Sequence, residues 1–281
     1  MAEEEAIPAA ARAGVSRGVY VGTVVLIAII AFVAGLGLSG VIFPRPTTTV
    51  QPPLIVATNT PFPPFESGDG ANVVGFDIDV IGEIIDRMGR TMQIANYRDF
   101  NALLSAVQSG TVDIAASAIT IRADRNATMD FSSPYFESDQ AFLVRKNDNR
   151  ITCSPPPTEC QGTNLTGYRI AVQSATTSEF WIYDNVPGGT ANTTTYPDVT
   201  LALQELVNAG VDVVVIDKPA GDGIVAANPT LYQLVGTVQT NELYGFAVQN
   251  DDPKGLIPQI NAHLANMKTD GKYQELLDKW F

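Results

Sequence analysis

The sequence predicts an α/β protein made of two units, each with a largely parallel sheet. Apolar, strand-like runs alternate with helical patterns from LIVAT (54–58) to VDIAASAI (112–119), and this alternation is typical of parallel sheets. The alternation begins again after a Pro-rich stretch bounded by two cysteines, with RIAVQ (169–173) and VDVVVID (211–217). A chain of 281 residues is long enough for two such cores.

The first unit has two helical patterns between its strands. Asp77 is placed to cap the first helix, and Asp99 is placed to cap the second, which ends at Gly110. Between them, QIANY (93–97) has the pattern of a strand. The apolar face of the first helix is Val80, Ile81, Ile84, Ile85 and Met88, and that of the second is Leu103, Leu104 and Val107.

The second unit follows the same order. Thr176 and Glu179 form a capping-box pattern that opens a helix after RIAVQ. A further helix is predicted over 200–208, and the final helices run from about 256 to 281. Because ligands of such units bind beyond the carboxyl ends of the strands, the segments that follow the strands are the candidate site.

The N-terminal part of the chain predicts a membrane anchor. Residues 19–43 are 25 uncharged, mostly apolar residues, enough to cross the hydrocarbon core, and Arg12 and Arg17 precede them. The positive-inside tendency places residues 1–18 in the cytoplasm and the body outside, so we expect a single-pass protein of the cell membrane with an extracellular C-terminal domain. Residues 44–53 read as a Pro/Thr linker. A cleaved signal peptide is the alternative.

Charge and histidine content exclude several classes of function. The net charge is −13, which disfavours binding to nucleic acid or to anionic lipid. His263 is the only histidine and lies in a helical pattern, where it reads as a surface residue. A histidine-rich metal site cannot be built, and a Ser-His-Asp triad would depend on this one side chain. We therefore expect no metal and no cofactor.

Two covalent features fit an extracellular location. Cys153 and Cys160 are the only cysteines, and an oxidising compartment would join them in a small loop, with two free thiols as the alternative. Asn126, Asn164 and Asn192 are N-x-[ST] acceptors, each a weak signal alone. We expect Asn126 to face outward or to remain unmodified, because a glycan beside Arg125 would crowd an inward-facing site.

The first two strand ends carry candidate ligand contacts. Asn59 and Phe62 follow LIVAT in a loop stiffened by prolines, although they also fit a surface turn with buried aromatics. After VDIAAS, Ala118 offers a backbone carbonyl and Thr120 a hydroxyl. Arg125 follows with a planar donor suited to a carboxylate, although taken alone such a residue is more often an ordinary surface arginine.

The last two strand ends add complementary groups. Gln173 to Thr177 lie at a helix start, whose N–H groups favour an anion, although capping alone explains the hydroxyls. Asp217 ends an apolar strand and would suit an ammonium group, with a helix cap before Pro219 as the alternative. One arginine, one carboxylate, hydroxyls and aromatic rings together match a zwitterion with a side chain.

These residues also carry a family resemblance. The blocks PFPPFE, VVGFDIDVIGEI, LLSAVQSGTVDIAASAITIRADR, MDFSSPYF, IAVQSATTSEF, VDVVVID and YGFAVQNDDP occur in that order between residues 53 and 281. They resemble the family 3 extracellular solute-binding proteins, the polar amino-acid receptors of ATP-driven importers. The resemblance implies a two-lobed clamshell of the type II periplasmic-binding fold. It assigns 54–143 and 248–281 to lobe 1 and 144–247 to lobe 2.

The resemblance also implies roles for individual residues. Arg125 would bind the ligand's α-carboxylate, helped by Thr120 and Thr177, while Asp217 and the Ala118 carbonyl would receive its α-ammonium. By the same pattern, Phe62 and Phe100 would flank the ligand's side chain. The implied partners are an amino acid and a membrane permease, and we expect a monomer.

The sequence departs from the family pattern at informative positions. Asn59 stands where an Asp often recognises cationic side chains, which favours a neutral polar ligand such as glutamine. Ala118 and Ala175 replace glycines that are common in the family. A cyclohexadienyl (prephenate or arogenate) dehydratase on the same fold is the alternative function. It would need a general acid, for which Glu66 and Glu179 are the candidates besides Asp217.

Overall fold

The structure is a computed structural model that describes residues 51–70, 72–153 and 159–281. The predicted span over 19–43 and most of the predicted linker lie outside these residues. Within the described part of the chain, none of the helices combines the length and the apolar character that a membrane crossing requires.

The described residues form two five-stranded sheets. The first has the order β2-β1-β3-β10-β4, and the second has the order β7-β6-β8-β5-β9. The strands of the first sheet are β1 Leu54–Thr58, β2 Met92–Asn96, β3 Ile114–Ala115, β4 Met129–Phe131 and β10 Ala247–Gln249. Those of the second are β5 Phe136–Arg145, β6 Ile170–Gln173, β7 Thr193–Tyr196, β8 Val213–Asp217 and β9 Tyr232–Tyr244.

Each sheet has a parallel half and an antiparallel half. Strand β1 pairs in parallel with β2 and β3, whereas β10 runs antiparallel to β3 and β4. In the second sheet β6 pairs in parallel with β7 and β8, and β5 runs antiparallel to β8 and β9. The predicted α/β alternation with largely parallel pairing is therefore confirmed for β1, β2 and β3 in the first sheet and for β6, β7 and β8 in the second. The sequence did not indicate that β4, β5, β9 and β10 pair antiparallel.

Two long strands join the lobes. Strands β5 and β9 pair from Phe136↔Tyr244 to Arg145↔Tyr232, with register shifts between Ser138 and Gln140 and between Phe142 and Leu143. The expected boundary at 143/144 falls inside β5, and the boundary at 247/248 falls at the first residues of β10. The chain thus crosses between the two sheets twice in adjacent, hydrogen-bonded strands, as a hinge requires.

The helices cover the faces of the sheets. They are α1 Phe76–Arg87, α2 Phe100–Gln108, α3 Ala123–Asn126, α4 Thr177–Asn185, α5 Gly189–Asn192, α6 Val199–Val207, α7 Lys218–Ala227, α8 Leu256–Asp270 and α9 Lys272–Trp280. A 3₁₀ turn covers Gly162–Leu165. Lobe 1 buries its main core between its sheet and α1, α8 and α9, for example at Ile81, Ile85 and Leu264.

The predicted caps have different outcomes. Asp99 caps α2 as expected, accepting from the N–H groups of Asn101 and Ala102. The prediction that Asp77 caps α1 is wrong, because the helix begins after Gly75 and places Asp77 inside its first turn. Gly75 is required there, since a Cβ at this position would collide with the carbonyl oxygen of Phe65.

The cysteine loop lies against the second sheet. Cys153 and Cys160 form a disulfide, so two free thiols are ruled out. The N–H of Cys160 donates to the carbonyl of Thr237 (2.8 Å), and the sulfurs cover Gly236 of β9. The loop is therefore fastened to β9, the edge strand of the second sheet.

The three glycosylation acceptors lie in different environments. Asn126 and Asn192 are exposed. Asn164 is half-buried, and its amide donates to the Thr152 carbonyl (2.9 Å) while accepting from the N–H of Gln161 (2.7 Å). Modification of any of them stays a prediction.

Candidate functional site

The strand ends of both sheets line one cavity. All nine ligand-binding residues expected from the sequence line it, and eight of them are buried while Phe62 is half-buried. These residues are Asn59, Phe62, Phe100, Ala118, Thr120, Arg125, Gln173, Thr177 and Asp217. The cavity also has an apolar wall at Val199, Val214, Val215 and Ile216.

Arg125 lines the cavity. The short helix α3 carries it, and only 6% of the residue is exposed, so it is not an ordinary surface arginine. Its Nη1 donates to the carbonyl of Thr120 and its Nη2 to the carbonyl of Ala175, both at 2.8 Å. Burial lowers the pKa of Arg125 to about 10, which leaves the group charged at neutral pH. Three of its five N–H donors remain for a ligand.

The groups around Arg125 can also hold an anion. The N-terminus of α4 lies at the cavity, where Thr176 caps it by accepting from the N–H of Glu179 (3.4 Å). The Glu179 carboxylate accepts from the N–H of Ala175 (2.6 Å), one residue before the expected capping-box position. The first turn of a helix leaves N–H groups free for an anion. Thr177 and Arg125 thus approach the same end of the cavity from opposite lobes.

Ala118 and Ala175 adopt backbone conformations that favour glycine. Their φ angles are 45° and 60°, in the left-handed region. These are the two positions where the family resemblance leads one to expect glycine. Both turns keep the backbone conformation that glycine adopts readily, although the residue in each turn is an alanine.

An Ala175→Gly variant is expected to unfold at a higher temperature than the wild type. The left-handed conformation costs a non-glycine residue about 1–2 kcal/mol, and glycine avoids this cost. Glycine loses more conformational entropy on folding, which offsets about 0.5–1 kcal/mol of the stabilisation. The remainder corresponds to a rise of roughly 2–4 °C in Tm for a domain of this size, measurable by circular dichroism. Ala171→Gly, on buried strand β6, is the control and should lower Tm. A lower Tm for Ala175→Gly would contradict the strain argument.

Asp217, the last residue of β8, also lines the cavity. It precedes α7, but its side chain makes no capping bond, so the helix-cap interpretation is wrong. The carboxylate instead accepts from Nε2 of Gln140 (2.5 Å) and from the hydroxyl of Tyr244. Burial first and the nearby Glu242 second raise the pKa of Asp217 to about 7. A cationic ligand would favour its ionised form.

Gln140 is a site residue that the sequence reasoning missed. It is fully buried on β5, and its amide also donates to Oε1 of Glu242 (2.8 Å) and lies 3.3 Å from Oγ1 of Thr177. Its carbonyl oxygen accepts from the hydroxyl of Ser178 (2.6 Å). The available signal was a polar residue directly before the apolar run AFLV. Gln140 joins Asp217 and the start of α4 to the strands that connect the lobes.

Three further polar side chains surround Ala118. Glu66 and Ser117 line the cavity, and the Ser117 hydroxyl donates to Oε1 of Glu66 (2.6 Å). Asp77 accepts from the Ala118 N–H and from the Tyr135 hydroxyl, both at 2.7 Å. Burial raises the pKa of Asp77 to about 7. Asp77 therefore bonds to Ala118 and Tyr135 instead of capping α1 as we expected.

The wild-type protein without ligand is expected to lose thermal stability as the pH rises from 5 to 8. Asp77 and Asp217 have pKa values of about 7 in the folded protein, above their usual value of 3.8, so the folded state binds more protons between about pH 4 and 7. An Asp77→Asn variant should show a smaller fall in Tm, whereas Asp86→Asn on the exposed face of α1 should behave as the wild type. Equal pH dependence in Asp77→Asn and the wild type would contradict this account.

The side-chain amides of Gln173 and Asn59 form another part of the cavity wall. Nε2 of Gln173 donates to Oδ1 of Asn59 across the lobes (2.7 Å). Nδ2 of Asn59 donates to the Tyr97 carbonyl (2.7 Å), and its N–H donates to the Ser117 hydroxyl (3.1 Å). Asn59 is thus held in one orientation by contacts from both lobes.

Several direct contacts close the cavity. Arg125 reaches the Ala175 carbonyl across the cleft, and Nδ2 of Asn101 donates to the Ser174 hydroxyl (3.0 Å). The Arg122 guanidinium lies 4.5 Å from the ring centre of Phe180 in the other lobe. The structure is therefore the closed form of the two lobes. Among the described residues, no group of three or more His, Cys, Asp or Glu side chains is arranged to hold a metal ion.

Comparison with known proteins agrees with this architecture. The chain is 30% identical over 229 residues to a probable histidine-binding protein of Neisseria gonorrhoeae, covering 80% of this chain and 82% of that protein. It is 29% identical to ABC transporter arginine-binding protein 1 of Escherichia coli, covering 78% and 87% of the two chains. The solved structure of an ancestral arginine-binding protein bound to glutamine has a TM-score of 0.73 and 33% identity, covering 81% and 97%.

These relatives distinguish between a binding protein and an enzyme. They are binding proteins, so the dehydratase alternative finds no support among them. Residues 54–281 match the family described as bacterial extracellular solute-binding proteins, family 3. The two sheets, the paired connecting strands and the cavity between them agree with that match. The chain therefore belongs to the family 3 bacterial extracellular solute-binding proteins, and it is a solute-binding protein rather than an enzyme.

Proposed function

We propose that this protein is anchored in the cell membrane and binds a neutral polar amino acid, such as glutamine, outside the cell for an ABC permease. The observation that carries the proposal is the placement of Arg125 and Asp217, two buried and oppositely charged groups, in one closed cavity. A zwitterion satisfies both groups, whereas a ligand with only one charge leaves the other buried and uncompensated.

Lobe closure follows from where the contacts originate. Arg125 and Thr120 belong to the segment before β5, while Thr177 and Asp217 belong to the segment between β5 and β9. A ligand that bridges these groups gains its full set of contacts only when the lobes are closed, so it shifts the population towards the closed form. An importer that recognises the closed form would then receive loaded protein.

The choice of a neutral side chain rests on Asn59. Its side-chain amide carries no charge and lies in the cavity wall, held by Tyr97 and Gln173. The uncharged amide of Asn59 and the phenyl ring of Phe62 both suit the carboxamide of glutamine. One solved relative, an ancestral arginine-binding protein, has glutamine bound, which supports a site of this family accepting that ligand.

The ligand class can be tested by thermal shift on the purified full-length chain in detergent. All twenty amino acids, prephenate and arogenate would be added separately, and calorimetry would rank those that raise Tm. We expect the largest shift with a neutral polar amino acid. A larger shift with arginine or lysine would overturn the neutral-ligand proposal, and product formation from prephenate would overturn the binding role itself.

The anchor requires its own experiment. Membranes of cells producing the full chain would be extracted with alkaline carbonate, and intact cells would be treated with protease. We expect the protein to stay in the membrane fraction and its C-terminal domain to be digested from outside. An N-terminus of the mature protein beyond residue 43 would show that the apolar segment is a cleaved signal instead.

A further inference from the structure

Two buried carboxyl groups of lobe 1, those of Glu66 and Asp77, belong to backbone segments in direct contact. Glu66 follows the prolines of the loop after β1, Asp77 lies in the first turn of α1, and both residues are completely buried. The N–H of Asp77 donates to the carbonyl of Phe65 (3.1 Å), and a Cβ at Gly75 would lie 2.7 Å from Cα of Glu66. The two side chains therefore start close together.

The same two side chains also end close together. Oε1 of Glu66 accepts from the hydroxyl of Ser117 (2.6 Å), and Oδ2 of Asp77 accepts from the N–H of Ala118 (2.7 Å). Ser117 and Ala118 are consecutive in the chain, so a single dipeptide holds one oxygen of each carboxyl group. Because both side chains are fixed at both ends, the two carboxyl groups are neighbours.

The remaining oxygen of each carboxyl group has no donor. Oε2 of Glu66 and Oδ1 of Asp77 are both buried, and neither accepts a hydrogen bond from the described residues. Buried polar atoms of proteins are nearly always hydrogen-bonded. Two carboxylate oxygens are both acceptors and cannot satisfy each other, whereas a protonated carboxyl group is a donor. A proton between the two groups would satisfy both atoms.

We propose that Glu66 and Asp77 share one proton, with the O–H at Oε2 of Glu66 donating to Oδ1 of Asp77. The pair then carries one negative charge instead of two, which removes the repulsion between like charges in a buried site. The proposal concerns the protein without ligand, so it goes beyond the proposed function and does not depend on it.

The donors around the pair place the proton on Glu66 and the charge on Asp77. Oδ2 of Asp77 accepts from two groups, the N–H of Ala118 and the hydroxyl of Tyr135 (both 2.7 Å). Oε1 of Glu66 accepts from one, the hydroxyl of Ser117. Because each donor stabilises the ionised form of a carboxyl group, Asp77 is the better anion.

The pKa values agree with this order. Burial first and the charge of Asp77 second raise the pKa of Glu66 well above its usual range, whereas burial raises the pKa of Asp77 to about 7. Other ionisable groups that act on the pair or bond to it are Asp217 at the end of β8, Tyr135 before β5 and Tyr273 of α9. All three are acids, and none of them supplies a positive charge to replace the proton.

The shared proton would position two turns of the binding site. The Ser117 hydroxyl that donates to Glu66 accepts from the N–H of Asn59 (3.1 Å), and the N–H of Ala118 donates to Asp77. Asn59 and Ala118 both line the cavity. Glu66 and Asp77 are therefore positioning residues, and the proton joins the two turns into one hydrogen-bonded unit.

Infrared spectroscopy of the ligand-free full chain, in an ester-free detergent at pH 8, tests for the proton. A protonated carboxyl group has a C=O stretching band separate from those of carboxylates and backbone amides. Asp217, with a pKa of about 7, is mostly ionised at this pH. We expect one such band in the wild type and none in Glu66→Gln. Glu275→Gln, on the exposed face of α9, is the control and should keep the band.

An Asp77→Asn variant distinguishes a shared proton from an isolated one. The N–H of Ala118 holds the oxygen of the new amide on its own side, so the amide N–H₂ faces Oε2 of Glu66 and donates to it. Glu66 can then ionise, and the band should disappear from this variant too. A band that persists in Asp77→Asn would show that Glu66 is protonated on its own, which overturns the proposal. A wild type without the band overturns it as well, since both groups would then be ionised.

Hydrogen exchange measures the positioning role. Glu66→Gln keeps a donor towards Asp77, whereas Glu66→Met has a side chain of similar length with no donor. Peptides that contain Asn59 or Ser117 and Ala118 should exchange about tenfold faster in Glu66→Met, the effect of losing one hydrogen bond, and near the wild-type rate in Glu66→Gln. Equal exchange in all three proteins would contradict the positioning role. If Glu66→Met does not fold, the infrared comparison decides by itself.

Discussion

An Arg125→Ala variant is expected to bind amino acids on the order of a thousandfold more weakly than the wild type. Two charge-assisted hydrogen bonds to a carboxylate contribute about 1.5–3 kcal/mol each, and 1.4 kcal/mol corresponds to a factor of ten. The loss should be seen by calorimetry with whichever amino acid gives the largest thermal shift. Arg125 is buried, and its guanidinium bonds carbonyl oxygens of both lobes, those of Thr120 and Ala175.

Two further variants sharpen the Arg125 experiment. Arg125→Lys keeps the charge but loses the planar fork, and it should recover only part of the affinity. Arg98→Ala removes an exposed arginine of the same lobe outside the cavity and should bind as the wild type. Because Arg125 also satisfies the Thr120 and Ala175 carbonyls, folding of each variant should be checked by circular dichroism. Undiminished affinity in folded Arg125→Ala would show that the carboxylate binds elsewhere.

An Asp217→Asn variant should lose affinity and keep its stability. Removing the carboxylate partner of a buried ammonium costs about 3 kcal/mol, on the order of a hundredfold in Kd. The ligand-free variant should be at least as stable as the wild type at pH 8. The pKa of Asp217 is raised to about 7, so its ionisation opposes folding above that pH, and asparagine removes this cost.

The Asp217 experiment needs binding and unfolding measured on the same preparation. Asp222→Asn, on the exposed side of α7 and paired with Lys218, is the matched control and should change the affinity little. A folded Asp217→Asn protein with wild-type affinity would remove Asp217 from the ammonium site. A large drop in Tm without ligand would show that the Gln140 and Tyr244 bonds need the charge.

Much of the fold was predictable because its signals are local. The period of apolar residues identifies strands and helices, and the cap at Asp99 depends on residues two and three positions away. Most site residues followed from one topological rule, since parallel strands end at one edge of a sheet, whereas Phe100 followed only from the family resemblance. Arg125 and Asp217 could be placed in one cavity because each comes after a strand end.

The missed features are all long-range. The Ser117 bond to Glu66 joins residues 51 positions apart, and the Gln140 bond to Asp217 spans 77 positions. Asp77 was mistaken for a cap because the cap pattern is local, while its partners Ala118 and Tyr135 lie 41 and 58 residues away. Partners at such distances depend on how helices and sheets pack.

The sequence by itself therefore determined the α/β order, the strand ends and the residue types that face a zwitterion. Each of these depends on periodicity within a few residues or on the chemistry of single side chains. Only the tertiary structure decided which buried groups share a hydrogen bond, and that Oε2 of Glu66 lacks a donor among the described residues. The physical reason is that hydrogen bonding requires atoms within about 3 Å, and only the packed lobes bring such distant segments so close.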